Sequence, residues 1–322
     1  MARKKLTIDK ATASKDLSGK LYIVTGANSG VGLETTRQLV KQGGHVVMAC
    51  RRVESGEEEA KSFKGLKGSH EVIKCDLADL DSVREFVNQF KSKHDRLDGL
   101  DCNAGMVNMK NKPIYTKRGF EITMAASYFG HFLLTELLLD TLKNTPESRY
   151  VILSSVVHAG SPKNRHEIHF DDLHWKNRKW NAFASYGEAK LAVVLYAKEL
   201  AERLEGTGVT TASVHPGWAR SNFGSGGNFL MRTLMFIARP LTRGVSDSNE
   251  ESAQTSLHCL ISDDARNHTG AYFSQHSVLY RDKECKAGGW PMKSPNPHAH
   301  DMETARKLVA MTYEMVGLEP VK

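Results

Sequence analysis

Tyr186 and Lys190 stand four residues apart in Ser185-Tyr186-Gly187-Glu188-Ala189-Lys190, a segment that reads as helix. That spacing sets both side chains on one face, roughly 6 Å apart. A phenol beside a fixed ammonium has its charged form favoured, so its pKa is expected to fall from about 10 toward the working range. Such a tyrosine can exchange a proton with a carbonyl or alcohol oxygen at neutral pH. Ser155, carried by another element, offers a hydroxyl to hold that same oxygen. Taken singly, the three are a capping serine, a half-buried aromatic and a solvated charge. What the trio lacks is a hydride carrier.

The N-terminal third reads as the carrier's site. Leu21-Tyr22-Ile23-Val24 is a short apolar run, a buried strand, followed by Thr25-Gly26-Ala27-Asn28-Ser29-Gly30-Val31-Gly32 and then a helical stretch to Gln42. Glycines between strand and helix let the backbone turn tightly and approach a pyrophosphate seated at the helix N-terminus. The plain alternative is an ordinary glycine turn. At the end of the second strand, where an acid commonly binds the NAD ribose, the chain has Cys50-Arg51-Arg52. Guanidinium groups there suit a 2′-phosphate, which predicts NADP(H) over NAD(H). Asp76 after the third strand is placed to meet the adenine edge and Asn103 after the fourth to line the ribose; each is also a common turn residue.

Strands at 21–24, 45–50, 72–75, 97–102, 150–154, 208–214 and 270–274 alternate with helical segments, including long ones over 118–142 and from 186 to about 205. Such alternation implies a parallel sheet covered on both faces. Residues 1–18 read as a flexible polar arm, 19–275 as one α/β domain with a lid over 217–246, and 276–322 as an irregular tail with a closing helix from Asp301.

The chain has 322 residues, 40% hydrophobic and 25% charged, with a net charge of +7, as expected of a globular protein with a substantial core. The excess charge reads as solvated surface, or as attraction for phosphorylated small molecules or an anionic membrane. No nucleic-acid partner is expected. Five cysteines without paired spacing point to a reducing compartment, and no apolar run of about 18 residues predicts a membrane span. A cytoplasmic protein, soluble or peripherally membrane-associated, is therefore expected. His276, His298, His300 and Cys285 match no standard zinc spacing, and no metal is expected.

Thr25–Gly32, Asp76-Leu77, Asn103-Ala104-Gly105, Ser154-Ser155, Tyr186-x-x-x-Lys190 and Pro216-Gly217 occur in the order found in the short-chain dehydrogenase/reductase family, which the chain resembles over about residues 18 to 275. The resemblance implies a single Rossmann-like, doubly wound domain with a seven-stranded parallel sheet, and hydride transfer between a nicotinamide and a carbonyl or alcohol carbon. It casts Tyr186 as general acid/base, Ser155 as the group orienting substrate oxygen, and Lys190 as the residue that grips the nicotinamide ribose. Gly26, Asn28, Ser29, Gly30, Val31, Gly32, Arg51, Arg52, Asp76, Leu77, Asn103, Ala104, Gly105, Pro216, Gly217 and Ser221 then contact the cofactor. Ser127 stands where the family usually has an asparagine that holds a relay water. That departure leaves open a non-catalytic dinucleotide-binding protein.

Gly130-His131-Phe132-Leu133-Leu134, Ser154 to His158, His215-Pro216-Gly217 and Gly270 to Ser274 resemble the retinol-dehydrogenase branch. Met48-Ala49-Cys50-Arg51 and Val316-Gly317-Leu318 are shared with light-dependent protochlorophyllide reductases, but the short interval before Tyr186 and Trp218 after Pro-Gly disfavour that assignment. Trp218, Phe223, Phe229 and Met235 make the lid apolar, fitting a bulky water-poor substrate such as a retinoid or steroid. Other readings of the same segment are plain packing, or docking on a bilayer through its flanking arginines. The tail reads as a cover for the pocket or a contact between copies.

Overall fold

The computed structural model describes residues 5–219, 247–277, 280 and 282–319. Eight strands form one sheet: β1 Leu21–Thr25, β2 His45–Cys50, β3 Ser69–Lys74, β4 Gly99–Cys102, β5 Arg149–Leu153, β6 Thr210–His215, β7 Ala271–Ser274 and β8 Gly289–Met292. Their order is β3-β2-β1-β4-β5-β6-β7-β8. All neighbours are parallel except β7 and β8. The chain order reverses between β1 and β4, which opens a crevice at the carboxyl ends of these strands.

The helices are α1 Lys10–Ser14, α2 Gly30–Lys41, α3 Val53–Ala60, α4 Leu80–Lys91, α5 Ile122–Asn144, α6 Ala182–Arg203, α7 Asn249–Ile261, α8 Lys283–Ala287 and α9 Met302–Val316. Two apolar layers sandwich the sheet. Phe86, Leu133, Val193 and Leu308 of α4, α5, α6 and α9 fill one, and Leu39, Leu257 and Leu260 of α2 and α7 fill the other. The central strands are buried throughout, which is why they read as continuous apolar runs rather than alternating ones. Among the described residues α5 is long and apolar enough to cross a membrane, yet 78% of its most apolar window is buried inside the domain. Its apolarity is spent on the core. All five cysteines are buried and free.

Three expectations need correction. The sheet has eight strands, not seven, because the tail adds β8 antiparallel to the β7 edge. Gly289-Trp290-Pro291-Met292 lacks a strand's alternation, and a proline is tolerated there only because β8 is itself an edge. The described part of the 1–18 arm is docked: Asp9 caps α1, Leu17 is buried, and Gln42 Nε2 donates to the carbonyls of Thr12 and Lys15 at 2.9 Å each. Gln275 joins the arm through Leu6. Polar side chains bonding backbone hide such docking from a hydropathy pattern. Finally, the long helix starts at Ile122 rather than 118, where Glu121 caps it.

Candidate active site

Among the described residues, the candidate catalytic and cofactor residues singled out in the sequence gather at the carboxyl edge of the sheet. β1 runs into the glycine loop, with Gly26 and Gly30 at φ +66° and +59°, conformations that favour glycine. A Cβ on Gly32 would lie 2.3 Å from Asn103 Nδ2. Asn103 in turn donates to the Thr25 carbonyl at 2.8 Å, so the loops after β1 and β4 are locked across the crevice. Ala104 N donates to Thr25 Oγ1 at 2.9 Å. Asn28 Nδ2 donates to Ser55 Oγ at 3.0 Å, tying the loop to the first turn of α3. Ser29 precedes α2 without a side-chain cap, which leaves the helix N-terminus to an anion. Arg51 and Arg52 are exposed after β2. Asp76 accepts from Ala78 N at 3.0 Å, and the Leu77 carbonyl lies 2.1 Å from where a Gly130 Cβ would stand. The residues present fit a dinucleotide: close backbone approaches, a helix N-terminus without a side-chain cap, and exposed cations at the end of β2.

Ser155 follows β5 and Tyr186 and Lys190 lie on α6, all inward-facing, at 9%, 9% and 2% exposure. The helix is held by its neighbours. Asn181 caps it, Ser154 Oγ donates to the Lys190 carbonyl at 2.8 Å, and Ser185 Oγ donates to buried Glu121 at 3.0 Å. Arg178 grips Glu188 with two nitrogens, at 2.8 and 2.9 Å, while Asp172 accepts from the backbone at 176, 177 and 178. Together they pin the polar loop after Ser155 against α6.

Lys190 Nζ donates to the Leu153 carbonyl at 2.6 Å and sits 5.7 Å from the centre of the Tyr186 ring. Burial pushes the ammonium down to about 7. Tyr186 moves opposite to expectation: burial raises the phenol well above 10, and the hydrogen bond from Ser155 only partly offsets this. The helical spacing does bring the two together, but burial disfavours the charged form of both groups and outweighs what their proximity would supply. Ser127 is fully buried in a π turn at Ala125–Phe129, and its Oγ has no hydrogen-bond partner among the described residues. A Cβ on Gly105 would meet Lys190 Nζ at 3.3 Å and Ser127 Oγ at 3.8 Å, so these groups converge.

Beyond β6, Pro216 is partly buried and Gly217 takes φ +89°. Asp247 Oδ2 accepts from Trp218 N at 3.1 Å and Asp247 N donates to the Trp218 carbonyl at 2.9 Å, pinning the two ends of the 217–246 connection together. Trp218 itself is exposed. Ser221, Phe223, Phe229 and Met235, with the rest of 220–246, lie outside the described residues.

An open groove of about 450 Å³ is lined by Val157, two residues after Ser155, by Phe183 at the start of α6, and by Gly160, Asn164, His166 and Tyr280. Phe183 is 62% exposed, one turn before Tyr186. The sequence reading missed this lining. Phe183, an aromatic three residues before the tyrosine, was the signal available; His166 reaches α6 only through a fold of the loop, where its ring occupies the space of a Gly187 Cβ. Tyr280 comes from the tail. Further tail residues shape the groove indirectly: His158 Nε2 is 2.7 Å from Ser294 Oγ, and Asn296 Nδ2 donates to the carbonyls of His158 and His166 at 2.8 and 2.9 Å.

Residues 20–165 match the model of the short chain dehydrogenase family. Retinol dehydrogenase 13 of Homo sapiens is 39% identical over 310 residues, covering 94% of this chain and 86% of the relative. The chain belongs to the short-chain dehydrogenase family, in its retinol-dehydrogenase branch. Retinol dehydrogenase 12 of Mus musculus is 36% identical over 310 residues, with 96% and 90% covered. Among solved structures, an uncharacterized protein from Mycobacterium Paratuberculosis superposes with a TM-score of 0.74 at 26% identity, over 99% of this chain and 100% of that one. The Pseudomonas aeruginosa RhlG/NADP complex shares the fold at 21% identity and a TM-score of 0.63, over 81% and 96%. As a member of this family, the chain is an oxidoreductase related to the retinol dehydrogenases.

Proposed function

We propose that this short-chain dehydrogenase is an NADP(H)-dependent oxidoreductase acting on the carbonyl or alcohol of a bulky apolar substrate, a retinoid or a molecule of similar shape. The observation that carries the reading is the convergence of Ser155, Tyr186 and Lys190 on the crevice side of the sheet near Gly105, with their chain neighbours Val157 and Phe183 lining a groove. A nicotinamide dinucleotide, when bound, supplies or takes the hydride. Gly26, Gly30 and Gly32 admit its pyrophosphate, Arg51 and Arg52 bind the 2′-phosphate, and Asn103 and Lys190 face its riboses. The 36–39% identical retinol dehydrogenases support a retinoid-like substrate.

The chain's own groups divide the work. Ser155 donates a hydrogen bond to the substrate oxygen and orients it. Tyr186 gives that oxygen a proton in reduction and removes one in oxidation. A phenol raised by burial stays protonated at neutral pH, so the proton is there to give, while the higher pKa makes the group a weaker acid. Removing the proton leaves a phenolate, and Lys190, with Nζ 5.7 Å from the centre of the ring, is the cation beside it and would also grip the nicotinamide ribose of a bound dinucleotide. Ser127, buried and with its hydroxyl unpartnered among the described residues, would hold a water that returns protons to Lys190.

The test is turnover of a panel of retinals, steroids, quinones and protochlorophyllide with NADPH, in dark and light. Retinal reduction by the wild type, lost by about a hundred- to ten-thousandfold in Tyr186→Phe with NADPH binding retained, is the expected outcome, the size that removal of a general acid gives. Full activity of that variant, or cofactor binding without consumption of any substrate, would end the proposal.

A further inference from the structure

At the opposite end of the sheet from the cradle, three side chains converge that the chemistry above does not use. His45 opens β2, Glu71 lies on β3, and His94 follows α4. In the parallel register His45 pairs with Ser69 and Val47 with Glu71, so His45, Ser69 and Glu71 share one face of the sheet. The end of α4 packs over that face and delivers His94, whose ring rests on buried Phe90 at 5.1 Å between centroids. Glu71 Oε1 stands 2.6 Å from His94 Nε2 and 3.8 Å from His45 Nε2, and one ligand atom from each residue lies within 4.8 Å of the others.

From this geometry we infer that His45, Glu71 and His94 form a binding site for a zinc-class divalent ion. Two imidazole nitrogens and one carboxylate oxygen are donors that such an ion prefers over magnesium or calcium. Ligands about 2.0–2.1 Å from a tetrahedral centre stand about 3.3 Å apart, so a shift of an ångström or so in side chains that are one-fifth to one-third exposed completes the set. Ser69 Oγ lies 2.6 Å from His45 Nδ1 and can accept its proton, which leaves Nε2 as the free donor atom facing the carboxylate. The fourth position opens to solvent. Lys93 Nζ holds the other oxygen of Glu71 at 2.7 Å and is half exposed, a competing cation that can swing away. A bound ion would tie the outermost strand β3 to β2 and to the end of α4.

The experiment is calorimetric titration of the full-length, metal-stripped chain with Zn²⁺, Co²⁺ and Mg²⁺, beside His45→Ala/His94→Ala, Glu71→Gln, Ser69→Ala and Lys93→Met. Because the chain has 14 histidines, the double variant decides. The site predicts one saturable Zn²⁺ equivalent that the double variant loses, with none for Mg²⁺. Ser69→Ala should weaken it by about ten- to a hundredfold, as loss of an orienting partner does. Lys93→Met should tighten it, and bound Co²⁺ should show the visible absorption of a four-coordinate ion. Circular dichroism checks that each variant is folded. An equivalent that survives in the folded double variant, or no saturable binding by the wild type, overturns the site; so does Lys93→Met binding more weakly.

Discussion

Asp101 is the residue least at ease in this fold. It lies on β4 at the centre of the sheet, fully buried, and neither carboxylate oxygen has a hydrogen-bond partner among the described residues. Its neighbours across the register are Val24 and Val151. Burial pushes its pKa up to about 8, so the folded chain keeps a proton that the unfolded chain gives up above about pH 4. The stability tied to that proton is whole below pH 4 and drains away as pH rises through 8. Lys190 tilts the other way: its pKa of about 7 lies below the usual lysine value, so its cost is complete below pH 7 and relieved toward pH 10. Asp101→Val isolates the first effect. It should stabilise the cofactor-free chain by about 1–3 kcal/mol, the cost of an unsatisfied buried group, and more at pH 8.5 than at pH 5. Urea unfolding at the two pH values measures this; a variant less stable than wild type at pH 8.5 contradicts it.

Among the elements, the tail reaches the groove through contacts that no pattern in its sequence specified. Residues 276 onward contribute β8, the groove residue Tyr280, and a strap in which Asn296 holds the carbonyls of His158 and His166. Those two carbonyls belong to the loop that follows Ser155. Asn296→Ala leaves both carbonyls without their buried donor, which should lower stability by about 2 kcal/mol. The same change loosens the groove wall, so KM for the apolar substrate should rise severalfold while kcat changes less. Thermal melts and steady-state kinetics test it, and an unchanged KM would show that the strap does not shape the groove. Gly187 makes the companion case on α6: any side chain there strikes the His166 ring, so Gly187→Ala should also raise KM.

At the scale of the whole molecule, the crevice between β1 and β4 joins elements from both halves of the chain. A nucleotide seated there would link α2, the β4 loop and α6, and so stabilise the entire domain. At a free concentration a hundred times its Kd, binding adds about 2.7 kcal/mol. With Arg51 and Arg52 exposed at the end of β2, NADPH should raise Tm by several degrees and NADH by less. Replacing both arginines with alanine should bring the two shifts together. Equal shifts in the wild type would remove the 2′-phosphate assignment.

The alternation of strand and helix, the glycine cradle, Ser155, and the Tyr186–Lys190 pair were all legible without coordinates, because each depends on neighbours within a few residues or on a periodic run. So was the Asp301 cap of the closing helix. Tertiary structure alone decided the rest. It added β8, docked the described part of the polar arm, set His166 and Tyr280 into the groove wall, and bonded Asn296 to the loop behind it. It also brought together His45, Glu71 and His94, which stand far apart in the chain. It reversed the expected direction for the Tyr186 phenol, since spacing along a helix says who is near but not how much water remains. Local propensity and period travel with the sequence; desolvation and long-range contact exist only once distant segments have excluded solvent from between them.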